Sequence, residues 1–166
     1  KTKKVALIIS KEIGFKKKGK VIDALNKRLL SFGLNLTIIR DTQHTVENLT
    51  FNIKRTLKVS APDLLLLYGS TSIVDKNDVI PFSIRHLKGN IISIGLPADP
   101  GNLALVANIK NTKIIAVPGC ASSLKRNGFD VILERICYGV NVDIDTISEI
   151  SENGLFKTII KKKNFI

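Results

Sequence analysis

Five short apolar runs constrain the fold more than any other feature of this sequence. They are VALII at 5 to 9, LTII at 36 to 39, LLLL at 64 to 67, IISI at 91 to 94 and IIAV at 114 to 117. None alternates polar with apolar residues, so each reads as a strand buried on both faces. Between them lie helical patterns. Val21, Leu25, Leu29 and Phe32 share one face, which Gly33 can close. Val46, Leu49, Ile53 and Leu57 share another, which Thr45 can cap. Phe129, Ile132, Leu133 and Ile136 mark a third, stopped near Gly139. Alternating strands and helices predict an α/β fold, a three-layer sandwich whose central sheet is mostly parallel.

The 166 residues are 44% apolar, enough for one core, and residues 1–166 are expected to form a single domain, part of a longer chain or complete. No apolar run approaches the roughly 20 residues that cross a bilayer. That length of run being absent, no membrane partner is expected, and Cys120 and Cys137 lie in no zinc or disulfide spacing, which fits a reducing cytoplasm. Lys and Arg exceed Asp and Glu by 12, much of it in KTKK, KKKGK and the closing KKK, which reads first as lysines on solvated faces and second as a field that attracts an anionic ligand such as a pterin phosphate or nucleotide. Nucleic acid is disfavoured: the chain has no Trp and two Tyr, and shows no helix-turn-helix or RNP pattern.

In an open α/β sheet, ligands bind beyond the carboxyl ends of the strands, and three polar loops fall there. After LLLL comes GSTSIVDKNDVIP. Gly69 permits close approach, Ser70, Thr71 and Ser72 offer donors to phosphate, and Asp75 and Asp78 either hold a divalent cation or cap the next helix. After IISI comes GLPADPGNLALVANI, with Pro97, Asp99 and Gly101, expected to run through polar groups into a helix. Asp99 reads equally as a turn-former or a ligand-facing acid. After IIAV comes VPGCASSLKRNGFD, where Pro118 and Gly119 shape the turn, Ser122 and Ser123 donate, and Lys125 and Arg126 bring positive charge. No Walker loop and no GxGxxG opens a helix. Cys120 reads as a small packed residue, Cys137 as core, His44 and His86 as surface or capping residues, and Lys16, Lys17 and Lys18 as a solvated loop.

The strand followed by GSTSIVDKNDVIP resembles the GGTG loop, aspartate and proline of the molybdopterin-binding domain family, and VPGCASS resembles that family's proline-glycine loop. KKKGKVID is similar to its Lys-Gly approach to the first helix. The likeness runs from about residue 5 to ENGLFK at 152 to 157 and is nearest the form beside bacterial nucleotidyltransferase domains. The resemblance implies binding of molybdopterin or the molybdenum cofactor, in bare or nucleotide form, during cofactor biosynthesis or handling. It implies that Gly69, Ser70, Thr71 and Ser72 face the pterin phosphate, that Asp78 or Asp75 serves Mg²⁺ and catalysis, and that Pro118 and Gly119 complete the pocket. It also implies a nucleotidyltransferase domain or a molybdoenzyme-maturation partner, and a homo-oligomer. The sequence departs from the pattern where GSTS replaces GGTG, Ile80 stands at a common Thr and Asn77 at a common Arg. Three functions are therefore carried forward: Mg²⁺-dependent nucleotidyl or phosphoryl transfer, a non-catalytic carrier or interaction module, and a nucleotide-binding α/β domain unrelated to pterin.

Overall fold

A computed structural model describes residues 2–98 and 100–157. Among these, six strands form one sheet: β1 (Val5–Lys11), β2 (Leu36–Gln43), β3 (Leu64–Gly69), β4 (Asn90–Ile94), β5 (Leu105–Ile109) and β6 (Thr112–Val117), in the order β2-β1-β3-β6-β5-β4. The pairs β1 with β2, β1 with β3 and β3 with β6 are parallel, whereas β5 runs antiparallel to both neighbours. Strand β4 therefore points the same way as β6.

Two helical layers cover the sheet. Leu7 and Ile9 of β1 with Leu64, Leu66 and Tyr68 of β3 pack against α1 (Lys18–Leu30), α4 (Gly128–Cys137) and α5 (Ile144–Lys157). The alternate residues Ala6, Ile8, Leu65 and Leu67 pack against α2 (Val46–Ser60) and α3 (Val79–His86). Period-two alternation sends successive leucines of β3 to opposite helical layers, which is why all four are fully buried. Each such burial contributes about 1.5–3 kcal/mol as an upper bound. The expected three-layer sandwich is thus realised, and Thr45, Gly33 and Gly139 act as read. The Thr45 hydroxyl accepts from the Asn48 N–H. Gly33 and Gly139 take φ of +70° and +77° and let Leu34 and Val140 donate back into the preceding helices.

Two expectations are corrected. LTII and IISI are not fully buried, because β2 and β4 are the sheet's two edges; Ile39 and Ile94 are 40% and 39% exposed. The loop after β4 leads not into a helix but into β5, whose LVANI returns through a tight turn at Lys110 and Asn111 to pair with β6. β-branched Val106 and Ile109 suit a strand, and the inserted antiparallel strand keeps β4 and β6 pointing alike without a crossover helix.

Candidate anion-binding cleft

Parallel pairing brings the carboxyl ends of β1, β3 and β6 to one edge, with Ser10 opposite Gly69 and Tyr68 opposite Val117. A cleft of about 530 Å³ opens there. Gly14 to Lys17 form one wall, Gly69 to Ile73 the second, and Val117 to Gly119 the third. Tyr68, Ile80 and Leu103 supply apolar lining, and the Phe15 ring lies against the Tyr68 ring at 5.9 Å. The structure thus gathers Gly69, Ser70, Thr71, Ser72, Pro118 and Gly119 around one space.

Local hydrogen bonding explains the loop shapes. The Ser70 N–H donates to the Ser10 carbonyl at 2.8 Å, and the Ser70 hydroxyl accepts from the Glu12 N–H at 3.3 Å, tying the first two walls together. Gly69 is packed closely: a Cβ there would stand 3.1 Å from the Ile80 side chain and the Thr71 carbonyl, and 3.3 Å from the His44 ring. At Gly119 a Cβ would meet nothing within 4 Å, so this glycine borders open cleft.

Asp75 and Asp78 do not line the cleft. The Asp78 carboxylate accepts from the Val74 and Asp75 N–H groups at 2.7 and 2.9 Å, and the Asp75 carboxylate from the Asn77 N–H at 2.7 Å. The N–H bonds from Asp75 and Val74 lower the Asp78 pKa. Asp78 precedes α3 but turns its side chain backward to close the loop, without capping the helix. Among the described residues no group of three or more His, Cys, Asp and Glu could hold a metal ion.

Ser122 and Ser123 border a neighbouring depression with Lys20, Asp23 and Lys27 of α1. The Lys125 backbone is held in the loop, its N–H donating to the Ser123 hydroxyl and its carbonyl accepting from Arg28. Gly101 packs on the start of α4, where a Cβ would lie 2.5 Å from the Gly128 nitrogen; exposed Pro97 also lies outside the cleft, and Leu103 is their loop's contribution to it. Asp99 lies outside the described residues.

Several groups escaped the sequence reading. His44 is not a simple surface or capping residue: half-buried at the end of β2, it meets the Ser10 hydroxyl through Nδ1 at 2.8 Å and the Thr71 hydroxyl through Nε2 at 2.9 Å. Lys16 and Lys17 border the cleft, whereas Lys18 and Lys11 both donate to Asp41, at 2.7 and 2.8 Å. Burial works to raise the Asp41 pKa, but the two lysines outweigh it and lower it. Cys120 is exposed, not packed. Arg28, on the buried face of α1, pairs with Asp130 at 2.6 Å and donates to the Ala121 and Ser123 carbonyls at 2.8 and 2.6 Å, fixing the loop that carries Gly119. The signal for His44 was its place at the carboxyl end of a strand adjacent to β1; only the strand order made that adjacency visible.

No protein-family model and no curated protein sequence matches the chain. Among solved structures, the molybdopterin biosynthesis MoeA protein of Pyrococcus horikosii superposes with a TM-score of 0.56 at 16% identity, over 92% of this chain and 37% of that one. A molybdenum cofactor biosynthesis protein B superposes with a TM-score of 0.57 at 15% identity, over 84% of this chain and 96% of that one. The chain therefore spans well under half of the first protein and nearly all of the second. What it shares with both, at such identities, is the fold: an α/β domain of the kind found in molybdenum-cofactor biosynthesis proteins.

Proposed function

We propose that this chain binds the pterin of the molybdenum cofactor, or its nucleotide form, during cofactor biosynthesis or handling. The observation that carries the reading is the cleft formed by the carboxyl ends of β1, β3 and β6, with the hydroxyl groups of Ser70, Thr71 and Ser72 on one wall and Lys16 and Lys17 on another. Donors and lysines suit a phosphate, and the Phe15, Tyr68 and Leu103 surface suits a flat heterocycle. The names borne by the two solved proteins of this fold agree with it. A carrier or handling role suits the residues better than transfer chemistry, because Asp78 lies outside the cleft and uses one carboxylate oxygen to shape its own loop. A partner, either a nucleotidyltransferase domain or a maturation factor, would receive the ligand. A second copy of the chain is the other candidate neighbour.

Calorimetric titration with molybdopterin and with its adenylylated form, each with and without Mg²⁺, tests the reading. A Gly119→Asp variant places a carboxylate in open cleft without a steric clash, so the fold should be spared and binding lost. Micromolar binding abolished in the variant is the expected result, and Mg²⁺-dependent turnover would make the chain an enzyme. Absence of binding to both forms sinks the pterin reading; binding unchanged in the variant moves the site elsewhere.

A further inference from the structure

The Ser10, His44 and Thr71 side chains form a chain of hydrogen bonds from the buried end of β1 to the cleft, and its direction can be derived. Ser10 is fully buried. Among the described residues its hydroxyl has one side-chain partner, His44 Nδ1 at 2.8 Å. If Nδ1 carried the ring proton and donated to Ser10, the Ser10 hydrogen would be left buried without an acceptor, which a protein interior disfavours. The satisfied arrangement has Ser10 donating to Nδ1. The ring proton of the neutral imidazole then sits on Nε2 and donates to the Thr71 hydroxyl oxygen at 2.9 Å. One of the two lone pairs of the Thr71 oxygen is thereby filled, and the hydroxyl hydrogen, which cannot then point at the ring, has no other hydrogen-bond partner among the described residues. Thr71 lines the cleft.

We infer that His44 is a positioning residue: held by Ser10 as its Nε2–H tautomer, it commits the Thr71 hydroxyl to donate into the cleft, toward an oxyanion such as a ligand phosphate. That oxyanion role rests on the cleft being the binding site proposed above; the tautomer does not. Burial supports a neutral ring, lowering the His44 pKa against the opposing pull of Glu12, on the loop after β1, of the Ser10 backbone, which would accept from a protonated ring, and of Asp78, on the loop before α3. Gly69 adjoins the same arrangement: a Cβ there would stand 3.3 Å from the His44 ring, tighter than ordinary van der Waals contact.

Ring ¹⁵N spectra of the labelled full chain at neutral pH decide the direction, with His86→Gln assigning the two histidines. The expected result is a predominant Nε2–H tautomer at His44, with the bias lost in Ser10→Ala. A predominant Nδ1–H tautomer, or one indifferent to Ser10→Ala, overturns the inference. Molybdopterin titration then tests the donor: Thr71→Val should weaken binding roughly tenfold or more and Thr71→Ser should restore it. Undiminished affinity in Thr71→Val refutes the donor role. If the wild-type chain binds no molybdopterin, the pterin reading fails while the spectra still decide the relay.

Discussion

Arg28→Ala removes a charged group whose residue is 8% exposed and which makes five hydrogen bonds to three segments of the chain. The guanidinium donates to Asp130 at 2.6 Å, to the Ala121 and Ser123 carbonyls at 2.8 and 2.6 Å, and more weakly to Ala24 and Lys125 at 3.3 and 3.4 Å. It also lies 5.8 Å from the Phe129 ring centroid. Deletion leaves a largely buried carboxylate without its counterion, the situation that costs about 3–5 kcal/mol. Asp130 retains its capping bond from the Asn127 N–H and its side chain is 15% exposed, so the lower end, about 3 kcal/mol, is expected. At roughly 2–4 °C per kcal/mol for a chain of this size, the midpoint should fall by about 6–12 °C. Urea unfolding of wild type, Arg28→Ala, Asp130→Ala and the double variant measures the term. The double variant should be less destabilised than the sum of the singles, since removing either partner already breaks the pair. A loss below about 1 kcal/mol in Arg28→Ala, or strict additivity, would refute the claim that this pair anchors the 119–125 loop to α1 and α4.

Gly101→Ala should destabilise the chain by at least about 1–3 kcal/mol, because Gly101 has φ +106° and a Cβ would stand 2.5 Å from the Gly128 nitrogen. Gly19→Ala in open space within α1 is the control, stabilising by up to about 1 kcal/mol in the same thermal melt. Asp63 accepts the Lys4 and Lys3 N–H groups, both at 2.8 Å, and these bonds lower its folded pKa. Its contribution to stability is accordingly full above the unfolded aspartate value of about 3.9 and is lost as pH falls through the lower folded value. Asp63→Asn should flatten that acid limb, and an unchanged limb in pH-dependent urea titrations would exclude Asp63 as a contributor. Burial pushes the Cys137 thiol up to about 12, whereas Cys120 is exposed. Iodoacetamide at pH 8 should therefore modify one thiol per native chain and two in denaturant, read by intact mass; two in the native state would contradict the buried position of Cys137.

Much of the scaffold was legible locally. LLLL lacks alternation because both faces of β3 are covered, and Val21, Leu25 and Leu29 recur at helical spacing because one face of α1 meets the sheet. The loop after LLLL could be placed at a strand's carboxyl end, hence Gly69 to Ser72 at the cleft, as could Pro118 and Gly119 after β6. Strand β5 was hidden, since LALVAN between a Pro-Gly turn and a polar turn suits helix or strand equally by pattern, and only its pairing with β4 and β6 decides.

Side-chain partnership was the part that tertiary structure alone decided. Asp75 and Asp78 look the same in sequence, yet each turns one carboxylate oxygen to backbone N–H groups of its own loop. His44 and Thr71 are 27 residues apart, and Arg28 and Asp130 are 102 apart. Burial periodicity is a local property, written wherever a segment has an inside and an outside. Which hydroxyl meets which imidazole, and which arginine neutralises which carboxylate, depends on strand order and on the angles between packed elements, and no single segment of the chain encodes those.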